Sequence, residues 1–294
     1  VVERSLVGCQ AVGGPPEASG GWPLLGHIVP IQRSPLGFLP GLAKYGAVVK
    51  IGFGTLPVYV VAHPDAVRDV LVPGDIDYKR GLCFERLKPG LGEGIATASV
   101  DEHRRLRTLL QPVFSRERLV EYSTIMRTAA EEAVQKWHDG EVVQADEAMD
   151  DLALTALTRS LFRFTATEET AEAIKHGMRE LTRTLKETSA GGLAIPADAE
   201  MIYSPYLLHH DARWFPDPQR FDPDRWLPEN AAKLPKNAYI PFAAGAYQCI
   251  GKIFATTELA MMTAVICAKW RAELTPGTEV REVASALITG LGPV

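Results

Sequence analysis

The sequence of 294 residues is 46% hydrophobic and 8% aromatic, enough to bury a core in one large domain or two small ones. Its net charge of −5, with 31 lysines and arginines scattered along the chain, gives no general attraction for nucleic acid or an anionic membrane. Four cysteines (Cys9, Cys83, Cys249 and Cys267) lie too far apart for a short metal motif and are too few for a secreted disulfide framework, which leaves a reducing cytoplasm as the fitting compartment.

Residues 1–33 are rich in Gly and Pro, with no apolar run long enough for a signal or membrane anchor; they read as an extended arm leading into one domain over 34–294. Ser34 offers an N-cap to a short helix ended by Gly46, after which AVVKIGF and LPVYVVA form a hairpin across a Gly-Thr turn. Helical spacing resumes in HPDAVRDVLV, and the glycine-rich GLCFERLKPGLGEGIATAS follows as a loop suited to bordering a pocket. From Asp101 to Lys186 the pattern is helical, with apolar faces at Leu106, Leu109 and Leu110 and at Leu152, Leu154, Leu157 and Leu161. LAIPADAEMIYSPYLLHH is a strand candidate with a turn at Pro196–Asp198, and WFPDPQRFDPDRWLPE is ordered by turns. The last helix starts just after Cys249, with Ala255, Leu259, Met262 and Ile266 at helical intervals. The predicted fold class is mainly α with a small β region.

Cys249 sits in PFAAGAYQCIG, with no second cysteine or paired histidine beside it. A sulfur near a helix start is stabilised as thiolate by the unpaired backbone N–H groups, and thiolate is the form that ligates metal. Gly245 and Gly251 lack a Cβ, so the loop can turn tightly and admit a flat ligand, while Phe242 can shield the sulfur from water. The run His209, His210, Asp211 is a weaker metal candidate, because neighbours on a strand point to opposite faces.

The positions Phe242, Gly245, Cys249 and Gly251 fill F-x-x-G-x-x-x-C-x-G, and with them the sequence resembles the cytochrome P450 family of haem-thiolate monooxygenases. WFPDPQRFDPDRW resembles the family segment before the cysteine loop, with Arg225 in a fold-stabilising ion network, and DEHRRLRTLLQPVFS resembles the C helix. The general look is that of soluble bacterial members, including terpene-oxidising ones. The resemblance implies a cytochrome P450 fold binding haem b, with Cys249 as the axial ligand of the iron and O2 as co-substrate. It implies that His103 and Arg107, one helical turn apart, hold a haem propionate, and that Phe242, Gly245, Tyr247 and Gly251 shape the cofactor loop. Phe84 and Leu87 in the glycine-rich loop are the candidates for the substrate side. The implied reaction is hydroxylation of a small apolar substrate, a terpenoid or another secondary metabolite, with electrons from a ferredoxin and ferredoxin reductase in a bacterial cytoplasm.

Three departures bear on that expectation. Tyr247 stands where the family generally has Arg or His, and can donate one neutral hydrogen bond but no charge. No oxygen-activating A-G-x-[DE]-T helix is found, since SAGGLAIP has neither the acid nor the threonine. Glu180 and Arg183 satisfy E-x-x-R, but the run from there to LAIPADAEM is too short for the family, so the match reads as coincidental. The sequence thus lacks the central helices, with an internal gap near residues 190–192. A haem fold without its central helix would expose a large apolar face, so omission of a segment is the better reading than a shortened gene product. The competing class is a non-catalytic haem-binding protein lacking the oxygen-activating helix; a helical scaffold with no cofactor leaves the cysteine loop unexplained.

Overall fold

A computed structural model describes residues 14–72, 92–162 and 200–280, with a few isolated positions besides. In chain order the elements are α1 (Ile28–Arg33), α2 (Pro35–Phe38), β1 (Val48–Phe53), β2 (Leu56–Val61), α3 (Pro64–Leu71), α4 (Val100–Leu110), α5 (Arg116–Val134), α6 (Ala145–Leu157), β3 (Glu200–Tyr203), α7 (Pro205–His209), α8 (Pro228–Ala231) and α9 (Lys252–Lys269). They fall into two compact units, Val1–Arg86 with Gly192–Cys249 and Leu87–Gly191 with Ile250–Val294.

The first unit is built on the sheet. β1 and β2 form the expected antiparallel hairpin, pairing Val48 with Val61 and Phe53 with Leu56, and β3 joins β2 in parallel with Val61 opposite Tyr203. Both faces are apolar: Val49, Ile51, Val58 and Val60 share a cluster with Leu42 and Leu207, whereas Val48 and Val61 pack with Val67, Leu208 and Ile240. The strand sequences therefore read as continuous apolar runs rather than as alternation. Residues 14–27 lie along this sheet, with Ala18 N–H donating to Lys50 O at 2.9 Å and the His27 ring accepting from Gly52 N–H at 3.0 Å.

The strand expected in LAIPADAEMIYSPYLLHH is described only over Glu200–Tyr203, and the chain then turns helical. Ser204 is the reason: its hydroxyl accepts the Leu207 N–H at 3.3 Å, and Pro205 occupies the first helical position with its φ already set. The turn-rich segment after it is fixed by Arg225, whose guanidinium donates to the carbonyls of Pro216, Asp217 and Arg220. These partners are backbone oxygens of the same segment.

The second unit packs helices on one another. Tyr122, Met126, Ala129 and Ala130 of α5 meet Leu152 and Ala156 of α6 and Phe254 and Met262 of α9, with Leu157 and Leu161 against them. Phe254 stands edge-on to Tyr122 at 5.7 Å and to Phe114 at 6.3 Å, and Trp270 Nε1 donates to Val134 O at 3.1 Å, tying the ends of α9 and α5. Two predicted apolar faces are displaced. On α4 the one buried side chain is His103, and Leu109 is 65% exposed. On α9 the buried residues are Phe254 and Met262, while Leu259 is 61% and Ile253 60% exposed. Of the predicted faces, that of α6 takes its place in the core through Leu152 and Leu157.

Candidate functional site

The cysteine loop is held from both ends and from beneath. Ile240, buried in the sheet cluster, leads into it, and its carbonyl accepts the Ala243 N–H at 3.2 Å. Ala243 takes φ 57° and Gly245 φ 65°, two left-handed positions that fold the chain back on itself. Gly245–Tyr247 forms a 3₁₀ turn closed by the Gln248 N–H on Gly245 O at 3.1 Å. The Cys249 N–H then donates to Phe242 O at 2.9 Å, which sets the cysteine beside the phenylalanine that opens the motif. A Cβ at Gly245 would clash with the Leu71 carbonyl oxygen and lie 2.8 Å from its carbon, so the loop rests directly on the C-terminus of α3.

Cys249 itself is a free, exposed cysteine. A single soft sulfur, presented outward by a loop backed on a helix end, is a donor set that fits one axial ligand of iron. α9 begins at Lys252 with Gly251 as its N-cap, so Cys249 precedes the cap by two residues. Phe242, Gly245, Tyr247 and Cys249 are thereby brought into one loop of the first unit, and Gly251 opens the second.

His103 and Arg107 lie on α4 in the second unit. Their neighbours explain why these two stand apart in the basic cluster. Arg105 donates to Glu102 at 2.6 and 2.9 Å, and Arg104 to Asp101 at 3.4 Å, both as exposed pairs within the helix. His103 is buried at 5% exposure and Arg107 is half-buried, so a histidine and an arginine four residues apart turn away from the solvated face. Phe84 is described as a helical, partly exposed residue, and Leu87 lies outside the described residues.

The remaining cysteines and histidines have separate surroundings. Cys267 is exposed on α9, and Cys9 and Cys83 lie outside the described residues. His209 ends α7 and His210 caps it, a helix terminus where a strand was expected. The two rings and Asp211 face different partners: His209 accepts the Ile240 N–H, the His210 ring bonds Tyr206 O at 2.9 Å, and Asp211 takes Arg213.

Glu258 carries no signal in the sequence beyond being an acid in an apolar helix. It is part-buried on α9, its Oε1 has no hydrogen-bond partner among the described residues, and burial pushes its pKa up to about 7. The folded protein therefore holds a proton that the unfolded chain releases near 4.5, and wild-type stability falls as pH rises from there to about 7. Glu258→Gln keeps the neutral form at every pH. It is expected to raise the thermal midpoint at pH 8 by roughly 2 °C, a shift discounted for partial solvent screening, and to leave it unchanged at about pH 3.5, below the unfolded value. Calorimetry of both proteins at the two pH values measures the difference.

Among the described residues no helix is long and apolar enough to cross a membrane. The family model described as Cytochrome P450 matches residues 15–189 and 174–291, two segments that share 174–189. Cyclooctatin synthase of Streptomyces melanosporofaciens is 25% identical, with 90% of this chain and 91% of the relative covered. Pentalenene oxygenase of Streptomyces avermitilis is 23% identical over 92% of this chain and 94% of its own. Cytochrome P450 4V2 of Mus musculus is 39% identical over 36% of this chain and 20% of its own. The alignment with cyclooctatin synthase runs over 419 positions against the 294 residues here, so a long stretch of the relative has no counterpart.

Proposed function

Because the chain belongs to the cytochrome P450 family of monooxygenases, we propose that Cys249 is the axial ligand of a haem b iron and that the protein hydroxylates a small apolar substrate. The observation that carries this is the cysteine loop: an exposed Cys249 on a turn seated against Leu71, with every fixed position of the motif filled. When bound, the haem supplies the activation of O2 with electrons from a redox partner, which we take to be a ferredoxin and its reductase. The chain's own part is to hold and enclose. Cys249 presents its sulfur, Phe242 keeps water from it, and Gly245 lets the loop lie flat on α3. Arg107 and His103 hold a propionate by charge-assisted hydrogen bonds, and Tyr247 adds a neutral one. Phe84 and Leu87 border the substrate. The names of the two Streptomyces relatives support a terpenoid or similar secondary metabolite as substrate, and we place the reaction in the cytoplasm.

The natural protein, in this reading, carries a further segment near residues 190–192 within a single domain over 34–294. The exposed Ile253 and Leu259 on α9 support it, with Glu258, whose Oε1 has no hydrogen-bond partner among the described residues, and so does the length of the alignment. The same observations favour a second reading for the chain as it stands: a haem binder without oxygen activation. The absorption spectrum of the reduced protein under carbon monoxide tests the first step, and a strongly red-shifted Soret band is the expected result. Oxygen consumption that depends on an apolar substrate and a ferredoxin system then separates monooxygenase from haem binder.

Arg107→Ala is expected to speed haem loss to apomyoglobin about tenfold, the scale of one charge-assisted hydrogen bond, and Arg105→Ala to leave it unchanged. Arg105 already has Glu102, and equal rates for the two variants would remove Arg107 from the propionate site.

A further inference from the structure

His209 has no task in the proposed reaction, yet it is the side chain that meets the chain just before the cysteine loop. Its Nε2 accepts the backbone N–H of Ile240 at 3.0 Å, across 31 residues of sequence. Its ring tilts against Tyr239 at 4.8 Å and stands edge-on to Phe215 at 6.0 Å, while Trp226 lies 4.2 Å from Tyr239 and 6.3 Å from Phe215. His209, Phe215, Trp226 and Tyr239 therefore form one aromatic cluster at the residue that precedes Ile240.

Ile240 is buried, and a buried N–H left without an acceptor costs about 1–3 kcal/mol, so the imidazole fixes the backbone at that point. From Ile240 the order passes onward through backbone bonds: Ala243 N–H to Ile240 O, and Cys249 N–H to Phe242 O. His210 does something different although it is adjacent. Its ring stacks on Tyr206 at 3.9 Å and bonds Tyr206 O, within its own helix.

We propose that His209 is a positioning residue for Cys249: a neutral imidazole, protonated on Nδ1, that clamps the entry of the cysteine loop and so fixes where the sulfur is presented. Burial, then the charge of His210, pushes the His209 pKa down to about 4, which keeps Nε2 an acceptor across the physiological range. The role in ligation rests on the reading of Cys249 as the iron ligand; the clamp on the loop does not.

The test uses the full chain with two substitutions. His209→Phe keeps a ring for Tyr239 and Phe215 and removes the acceptor; His209→Gln keeps an acceptor and removes the ring. Hydrogen–deuterium exchange read by mass spectrometry is expected to accelerate about tenfold in peptides covering residues 239–249 of His209→Phe, the loss of one buried hydrogen bond, with His209→Gln restoring part of the protection. The reduced carbon monoxide spectrum of His209→Phe is expected to lose part of its red-shifted band. Unchanged exchange in that segment, or acceleration spread evenly over the chain, would overturn the clamp. Faster local exchange with an undiminished red-shifted band would overturn the positioning of the ligand alone. A wild type without that band would instead remove the assignment of Cys249, and with it the ligand role of His209, while the exchange data still report the clamp.

Discussion

Cys249→Ser is expected to abolish the red-shifted Soret band of the reduced carbon monoxide complex and to bring substrate-dependent oxygen consumption to baseline, with the thermal midpoint unchanged. The two halves of that expectation come from different features. Cys249 is exposed, and its structural bond is the backbone N–H on Phe242 O, which serine retains, so stability stays within about 0.5 kcal/mol. The sulfur, in contrast, has no substitute as a ligand. Thiolate is the form that ligates iron, and its electron density is what would favour O–O cleavage in a haem-thiolate site; a serine hydroxyl supplies neither. Cys267→Ser is the control, since Cys267 is also exposed but stands on α9 without the loop. A red-shifted band that survives in Cys249→Ser and disappears in Cys267→Ser would move the ligand to α9 and overturn the reading of the motif.

What the sequence made legible was local. The hairpin of β1 and β2 announced itself by two β-branched runs across a Gly-Thr turn, and α3 by the helical spacing of HPDAVRDVLV, because these signals act within a few residues. The cysteine loop was legible because four fixed positions lie within ten residues. The misread elements depend on partners elsewhere or on a cap left unweighed. Ser204 and Pro205 do form a recognisable helix start, but the β-rich run before them drew the strand onward to His210. On α9 almost every face is apolar, so periodicity picks out Met262 but not Phe254, and takes the exposed Leu259 with it; the packing against α5 makes that choice. The sequence weighs His209 only as part of a weak metal candidate with His210 and Asp211, because its partner, the N–H of Ile240, lies 31 residues away and belongs to the backbone, which no motif records.

Gly245→Ala is the second large expected effect, and the loop itself shows which of two costs governs it. A left-handed φ alone costs an alanine about 1–2 kcal/mol. Ala243, two residues earlier, already takes φ 57° with its side chain in place, so that conformation is tolerated here. The difference at Gly245 is what lies beneath it. Its Cβ would clash with the Leu71 carbonyl oxygen, a backbone atom at the end of α3 that cannot rotate aside as a side chain would. The loop must lift from α3, and the 3₁₀ turn of Gly245–Tyr247 that leads to Cys249 lifts with it. Gly245→Ala is therefore expected to cost about 3 kcal/mol, a fall in thermal midpoint of roughly 6–10 °C, and to leave little haem bound after gel filtration. Gly251→Ala provides the contrast: as the N-cap of α9 it has φ −84°, which any residue adopts, so its backbone sets no such barrier. Should Gly245→Ala retain haem as well as Gly251→Ala does, the close seat on Leu71 is not what holds the cysteine in place, and the burden shifts to the bonds at Phe242 and Ile240.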